Sequence, residues 1–123
     1  QKTYFSEFGY LHVGADEVFE GCIEEIPNIK QFLASHGFKD YKDIFNYFLE
    51  KSKPLVSNNT TRICWSNSDT LFLKFQETDV LQWWGTSPDL ASAFQQYPKN
   101  KFILSNYDYF YMDCGYENVI GDD

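Results

Sequence analysis

The chain has 123 residues, and 18 acidic against 10 basic side chains give it a formal net charge of −8. Arg62 is its single arginine, and this excess of acid excludes a nucleic-acid binder, which needs a basic surface to neutralise phosphates. A hydrophobic fraction of 43% with 20% aromatics excludes a disordered chain. We expect one core and no membrane span, because no apolar run approaches roughly 18 residues.

Short apolar strands and helices are predicted to alternate along the chain. The predicted strands cover residues 10–13, 62–65, 79–84 and 101–105. The predicted helices run from Pro27 to a stop at Gly37, from a cap at Asp40 up to Pro54, and from Ser87 and Pro88 through Tyr97, with a short helical turn at 71–75. Residues 106–123 are rich in tyrosine and acid and have no clear period.

This alternation predicts an α/β fold with a parallel sheet. A doubly wound sheet and a (β/α)8 barrel both fit the pattern, but a complete barrel needs about 250 residues, so four βα units would form about half of one. Gln1 stands first and Met112 is the one methionine. We therefore expect a processed piece or a fragment of a longer chain.

Acidic and aromatic side chains follow the predicted strands where each strand ends. In both α/β architectures the active site lies beyond the carboxyl ends of the strands. Aromatic rings beside paired carboxylates suit a sugar, because its C–H faces pack on the rings and the acids bind hydroxyls or protonate a leaving oxygen. This rule brings together residues 12–17, Trp65, the adjacent Trp83 and Trp84, of which at most one faces a barrel axis, and residues 106–113.

The paired acids, His12 and the aromatic residues also have interpretations that need no chemistry. Asp16 and Glu17 are adjacent, so repulsion between like charges could keep one of them protonated as a general acid, or both could stabilise a helix N-terminus. His12 fits a hydrogen-bonded side chain below the site better than a metal ligand. Aromatic side chains mostly fill cores.

The cysteines leave the cellular compartment open. Cys22, Cys64 and Cys114 give an odd count without a CxxC spacing, so a zinc site has little support. They could be buried thiols of a cytosolic chain, or belong to a secreted chain with a partner cysteine elsewhere. Overlapping glycosylation sequons at Asn58 and Asn59 modestly favour secretion.

Three motifs resemble one family of enzymes. Residues 12–17, HVGADE, are similar to the H-x-G-G-D-E signature of the β-N-acetylhexosaminidases of glycoside hydrolase family 20. Residues 79–85 look like the strand that supplies a pocket tryptophan. Residues 104–108 and 111–115 resemble the segment with the active-site tyrosine, especially in arthropod enzymes that degrade chitin oligosaccharides and trim N-glycans. The resemblance covers nearly the whole chain, in the right order.

The resemblance implies a fold and an activity. Residues 1–123 would be a partial catalytic (β/α)8 TIM-barrel domain running from strand 4 to just past strand 7. The parent would be an exo-acting glycosidase that removes terminal N-acetylglucosamine or N-acetylgalactosamine from chito-oligosaccharides or glycoconjugates. It would be secreted or lysosomal and need neither cofactor nor metal, and a homodimer is a possible assembly. In the family Cys114 would pair with a cysteine beyond Asp123.

The resemblance also implies roles for the residues. The mechanism is substrate-assisted and retaining, with the sugar's acetamido oxygen as nucleophile. Glu17 would be the general acid/base, Asp16 would hold the acetamido N–H, and Tyr111 would hydrogen-bond the acetamido oxygen. Trp65 and Trp84 would form walls of the pocket. Asp113 would bind a sugar hydroxyl, and His12 would support the hydrogen-bond network.

One departure from the motif motivates the alternative, an inactive or degenerate homologue that at most binds glycans. Ala15 stands where the family has its second glycine. If that position requires a positive φ, alanine costs energy and could displace the carboxylates that follow. We expect the 123-residue piece alone to be inactive and poorly soluble.

Overall fold

The computed structural model describes residues 9–16, 21, 23 and 25–111, and these contain four strands and four helices. The strands are β1 Tyr10–His12, β2 Thr61–Ser66, β3 Val80–Trp83 and β4 Lys101–Leu104. The helices are α1 Pro27–His36, α2 Tyr41–Ser52, α3 Leu90–Gln96 and α4 Tyr107–Phe110, with 3-10 turns at Lys53–Leu55 and Ser68–Thr70. Among these residues, no helix has the length and apolar character needed to cross a membrane.

The four strands form one parallel sheet in the order β1-β2-β3-β4. Each strand therefore pairs with the next along the chain. The crossover from β1 to β2 contains α1 and α2, that from β2 to β3 contains the 3-10 turn Ser68–Thr70, and that from β3 to β4 contains α3. Within the described strands this order has no reversal, whereas a doubly wound sheet reverses at its switch point. The predicted parallel α/β arrangement is confirmed for this part of the chain.

Local signals set the ends of the first two helices, as the sequence predicts. Pro27 begins α1, and Gly37 ends it in a left-handed conformation with φ of 67°. The Asp40 side chain caps α2 by accepting a hydrogen bond of 2.9 Å from the Lys42 N–H. Both signals act within a few residues, and both helices lie where they are expected.

The core lies between the sheet and the helices on one of its faces. Residues of β2 alternate, with Arg62, Cys64 and Ser66 buried and their neighbours half-buried. Cys64 and Leu81 pack with residues of α2 and of the loops, while Ile63 and Trp65 on the other face remain partly open to solvent. The buried cluster consists of Leu49, Cys64, Leu73, Leu81 and Tyr97.

A buried ion pair joins the beginning of β2 to the residue before β3. The Arg62 guanidinium donates to both carboxylate oxygens of Asp79, at 2.9 and 2.7 Å. It also donates to the Leu49 carbonyl at 2.9 Å, and Asp79 accepts from the Gln76 N–H at 2.8 Å. The one arginine thus links α2 and β2 to the residue that precedes β3, a structural role that was not predicted from the sequence.

Two helix predictions are wrong in position. The turn expected at 71–75 forms instead at Ser68–Thr70, where the side chains of Asn67 and Thr70 each accept a hydrogen bond from the other residue's N–H. The third long helix begins at Leu90 and not at Ser87, whose hydroxyl bonds to Asp108 instead of capping a helix.

The tail and the strand ends differ less from expectation. Residues 107–110 form the short helix α4, although the sequence of the tail shows no period. The strand boundaries differ from the predicted ones by one residue at most positions, because pairing with neighbouring strands decides where a strand ends.

Candidate active site

The chain turns sharply after β1, at the predicted carboxylate motif. The Val13 N–H pairs with the Ile63 carbonyl at 2.9 Å, and the Trp65 N–H pairs with the Gly14 carbonyl at 2.8 Å. Gly14 and Ala15 both have positive φ, 77° and 80°. Two successive left-handed residues take the chain from the strand to Asp16, so the carboxylate stands directly beyond a strand end that is held by its neighbour.

Ala15 is therefore strained where glycine would not be. A positive φ brings the Cβ of an L-residue too close to the following carbonyl and costs roughly 1–2 kcal/mol. Among the described residues, it is the one non-glycine with a positive φ. Position 15 of the motif therefore does require a positive φ, the conformation that favours glycine, and this chain has alanine there.

His12 makes two contacts below the turn. Its Nδ1 accepts a hydrogen bond of 3.1 Å from the Gly14 N–H. An accepting Nδ1 places the proton of the neutral imidazole on Nε2. The ring centroid lies 4.8 Å from that of Trp65, with the rings tilted at 55°. His12 thus links the turn after β1 to the neighbouring strand, as a supporting residue would.

A close approach of backbone to an indole ring shapes the end of β3. A Cβ added at Gly85 would lie only 2.8 Å from an atom of the Trp83 ring, and Trp83 itself is completely buried. The Trp83 Nε1 donates to the Thr86 carbonyl at 3.0 Å. Glycine at position 85 lets the chain pass over this fixed ring, while the neighbouring Trp84 lines a cavity.

That cavity, of about 670 Å³, brings together residues that lie far apart in the sequence. Asp16 and Trp84 both line it, together with Asn67 and Asp69 from the turn after β2. Its remaining wall is largely apolar and comes from the turn after β1, from α2 and from the segment after β2. Those wall residues are Val13, Ala15, Phe45, Phe48, Leu49, Ser52, Thr70, Phe72 and Leu73.

Carboxylates, an amide and an indole that line an otherwise largely apolar cavity can orient a small polar ligand. Within the part of the chain that the structure describes, the buried Nε1 of Trp84 has no hydrogen-bond acceptor. No group of three His, Cys, Asp or Glu side chains suited to a metal ion occurs among the described residues.

The structure places only some of the predicted site residues. Asp16 and Trp84 share the cavity, whereas His12 and Trp65 contact each other but do not line it. Tyr111 directly follows α4, and its side chain is 39% exposed. Glu17 and Asp113 lie outside the described residues. A common cavity for Glu17 and Tyr111 therefore stays a prediction.

Asn67 and Asp69 were not among the candidates predicted from the sequence. They lie in the turn after β2, which reads as a polar loop, and only the asparagine and threonine three positions apart indicate its fixed geometry. Asn67 is buried and its amide lies within 3.5 Å of an Asp69 carboxylate oxygen.

The described cysteine is a buried thiol. Burial raises the pKa of the Cys64 thiol to about 12, with a smaller contribution from the nearby Asp79 carboxylate. The thiolate is the reactive form, so Cys64 is inert in the folded protein. Cys22 and Cys114 lie outside the described residues, and the expected pairing of Cys114 stays a prediction.

A parallel sheet with carboxylates and indole rings beyond its strand ends belongs to the class of α/β proteins that bind ligands at this edge. The family model described as "Glycosyl hydrolase family 20, catalytic domain" matches residues 3–123. The chain therefore belongs to glycosyl hydrolase family 20, a family of glycosidases whose catalytic domain implies a TIM barrel. The resemblance inferred from the motifs is confirmed.

Several curated proteins are similar to this chain. Chitooligosaccharidolytic beta-N-acetylglucosaminidase of Ostrinia furnacalis is 25% identical over 134 aligned residues, which cover 95% of this chain and 22% of that protein. Beta-hexosaminidase subunit alpha of Rattus norvegicus is 31% identical over 84 residues, 68% of this chain and 16% of that protein. Beta-hexosaminidase 1 of Arabidopsis thaliana is 29% identical over 108 residues, 86% and 19% of the two lengths. The chain spans about a fifth of the length of these relatives.

Proposed function

We propose that this chain is part of the catalytic barrel of an exo-acting β-N-acetylhexosaminidase. Its four strands would be strands 4 to 7 of the barrel, and residues 1–123 one partial domain. The observation that carries the proposal is that Asp16 and Trp84, which follow the ends of β1 and β3, line one cavity. The family match and the names of the relatives support the same activity.

In the proposed reaction the substrate supplies its own nucleophile. The acetamido oxygen attacks the anomeric carbon as the glycosidic bond breaks, and Glu17 gives its proton to the leaving oxygen. The resulting oxazolinium ion is then opened by water, whose proton returns to Glu17 as its oxygen bonds to the anomeric carbon. The two displacements retain the anomeric configuration. An attached nucleophile has a high effective molarity, so no enzyme nucleophile is needed.

The other residues would hold the acetamido group and the ring. Asp16 accepts the acetamido N–H and stabilises the positive charge that develops on the oxazolinium ion. Tyr111 donates to the acetamido oxygen and holds it in line for attack. The Asp16 contact gains strength where water is excluded, which the apolar wall of the cavity that Asp16 lines favours.

Aromatic and polar side chains would complete the pocket. Trp84 and Trp65 would enclose the sugar and the acetamido methyl group, and Asp113 would bind a hydroxyl. His12, which contacts both the turn after β1 and the Trp65 ring, would hold these parts in place. Substrates would carry terminal N-acetylglucosamine or N-acetylgalactosamine, as in chito-oligosaccharides and glycoconjugates. We also propose that the protein is a secreted or lysosomal glycoprotein.

Hydrolysis by the full-length protein and its Glu17→Gln variant tests the acid role. With a natural disaccharide the variant should lose roughly 10²–10⁴-fold in kcat, because the leaving alkoxide needs a proton. With a 4-nitrophenyl glycoside the loss should be smaller, because nitrophenolate leaves without full protonation. Glu25→Gln, which removes the same charge at an exposed position, is the matched control. Equal turnover by wild type and Glu17→Gln on both substrates would refute the acid role.

The strain at Ala15 favours one alternative, a homologue that binds glycans without hydrolysing them. Its φ of 80° stands directly before Asp16, so the carboxylates could be displaced from their catalytic positions. Tight binding of a thiazoline inhibitor by a full-length protein without any turnover would support this alternative. Clear hydrolysis of a chromogenic N-acetylglucosaminide would dismiss it.

A further inference from the structure

Backbone pairing between β3 and β4 ends before the chain reaches the proposed site. The last paired residues are Trp83 and Leu104, and the last backbone hydrogen bond runs from the Ser105 N–H to the Trp83 carbonyl at 2.8 Å. Beyond it, the loops that carry Trp84 and Tyr111 leave the sheet. The ladder itself therefore does not hold these two side chains relative to each other.

Three side chains continue the connection beyond the ladder, and we call them the loop bridge: Ser87, Asn106 and Asp108. The Asp108 carboxylate accepts hydrogen bonds from both the N–H and the hydroxyl of Ser87, each at 3.2 Å. The Ser87 hydroxyl in turn accepts from the Asn106 amide at 3.0 Å. The Ser87 hydroxyl donates its one proton to Asp108, and its oxygen accepts a hydrogen bond from the Asn106 amide. Each of the three side chains thus has a defined partner.

The loop bridge lies between the two proposed pocket residues. Ser87 follows Trp84 by three positions, and the Trp84 N–H is held by the Ser66 carbonyl at 3.0 Å. Asn106 is only 4% exposed, and its carbonyl accepts the N–H groups of the residues that end α4. Tyr111 comes directly after that helix. The same buried asparagine thus joins Ser87 and begins the helix that leads to Tyr111.

We propose that Asp108 and Asn106 are positioning residues that set Tyr111 relative to the Trp84 side of the site. The inference rests on the proposed function, because the tyrosine holds the acetamido oxygen in that mechanism. Attack requires the oxygen to be about 3 Å from the anomeric carbon and in line, so a displaced phenol lowers the rate of the chemical step. Ground-state binding of the sugar, which depends on the pocket walls, changes little.

The test compares Asp108→Ala and Asp108→Asn with wild type in the full-length protein. The alanine variant removes both acceptors of the loop bridge, while the asparagine variant keeps one carbonyl oxygen for the Ser87 N–H. On a 4-nitrophenyl N-acetylglucosaminide we expect kcat to fall about 10- to 100-fold for alanine, and less for asparagine, with KM nearly unchanged. Glu50→Gln on α2, which removes one negative charge at an exposed position, should behave as wild type.

A second measurement separates positioning from a purely structural role. Hydrogen exchange at the Ser87 and Phe110 amides should accelerate in Asp108→Ala and not in Glu50→Gln. Accelerated exchange with an unchanged kcat would overturn the positioning role, and unchanged exchange would overturn the loop bridge itself. A wild-type protein that does not hydrolyse the substrate overturns the proposed function, while exchange still decides whether the loop bridge holds the two loops.

Discussion

Replacing Ala15 with glycine should stabilise this protein, which is the reverse of the usual effect of a glycine substitution. The residue has a φ of 80°, and it follows Gly14 at 77°. Glycine adopts such angles without a steric penalty, whereas alanine raises the free energy of the folded state by roughly 1–2 kcal/mol. The substitution removes this strain and a single methyl group, which leaves the neighbouring Asp16 chemically unchanged.

The net magnitude follows from two opposing contributions. Relief of the strain stabilises the folded state by roughly 1–2 kcal/mol. The added freedom of glycine in the unfolded chain offsets about 0.4–1 kcal/mol of that gain. Ala15 also packs against the buried cluster, so the loss of its methyl group reduces the benefit further. We expect the free energy of unfolding to rise by up to about 1 kcal/mol.

Two reverse substitutions provide matched controls in denaturant unfolding of the full-length protein. Gly14→Ala introduces the same strain one residue earlier, with its Cβ at an ordinary 3.6 Å from an Asp16 carboxylate oxygen. Gly37→Ala introduces it at φ of 67°, at the end of α1, with no atom within 4 Å of the new Cβ. Both should lower stability by about 0.5–1 kcal/mol. A loss of stability in Ala15→Gly as large as that in Gly37→Ala would refute the reasoning.

Three further predictions concern other parts of the chain. Asp79→Ala leaves the buried Arg62 without its carboxylate, so the free energy of unfolding should fall by about 3–5 kcal/mol in denaturant titrations, and a loss below about 1 kcal/mol would contradict this. Burial raises the pKa of Tyr97 from its ordinary value of 10.0 to about 12 in the folded protein. The neutral phenol therefore makes its full contribution to the free energy of unfolding below pH 10, and this contribution is lost as the pH rises from 10 to 12. Unfolding measured across that window should show a shallower decline in Tyr97→Phe than in wild type. Secretion from eukaryotic cells should add one N-glycan at the exposed turn of Asn58 and Asn59, seen as a mass lost on deglycosylation and abolished when both become glutamine.

Elements whose signals are local could be predicted from the sequence. The two helices bounded by Pro27 and Gly37, and by Asp40 and Pro54, lie where the caps and breakers indicate. The four strands are short apolar runs, and their parallel arrangement follows from the alternation with helices. In each of these cases a few neighbouring residues contain the information.

Predictions failed where a distant partner decides the conformation. The pattern of residues 71–75 looks helical, but their backbone groups bond elsewhere: the Asn46 amide binds the Phe72 carbonyl and the Lys74 N–H, and the Tyr97 hydroxyl lies 2.7 Å from the Leu73 carbonyl. These partners lie 24 to 28 positions away along the chain. Backbone groups that are bound by these distant side chains do not form helical hydrogen bonds, and the sequence of residues 71–75 does not show this.

In the candidate site, too, some features could be predicted from the sequence and others depend on contacts that the sequence does not show. That Asp16 and Trp84 would lie at one edge of the sheet follows from the rule for parallel strands, although 68 positions separate them. The participation of Asn67 and Asp69 in the cavity could not be inferred, because it depends on a turn whose geometry is set by hydrogen bonds to Thr70. Strand order can be read from the sequence, but the shape of the loops beyond it cannot.

Backbone hydrogen bonds fix the strand ends at the site, so the strain at Ala15 is confined to the turn that follows β1. Each strand end donates a backbone hydrogen bond to its neighbour, from Trp65 to Gly14, from Trp84 to Ser66 and from Ser105 to Trp83. Ala15 lies beyond the last of these bonds on β1 and immediately before Asp16. Its strain therefore acts between a fixed strand and a carboxylate, and cannot be relieved by a shift of the sheet. A glycine there leaves the sheet unchanged and alters only how the chain reaches Asp16, so its effect on kcat reports directly on whether the alanine displaces that carboxylate.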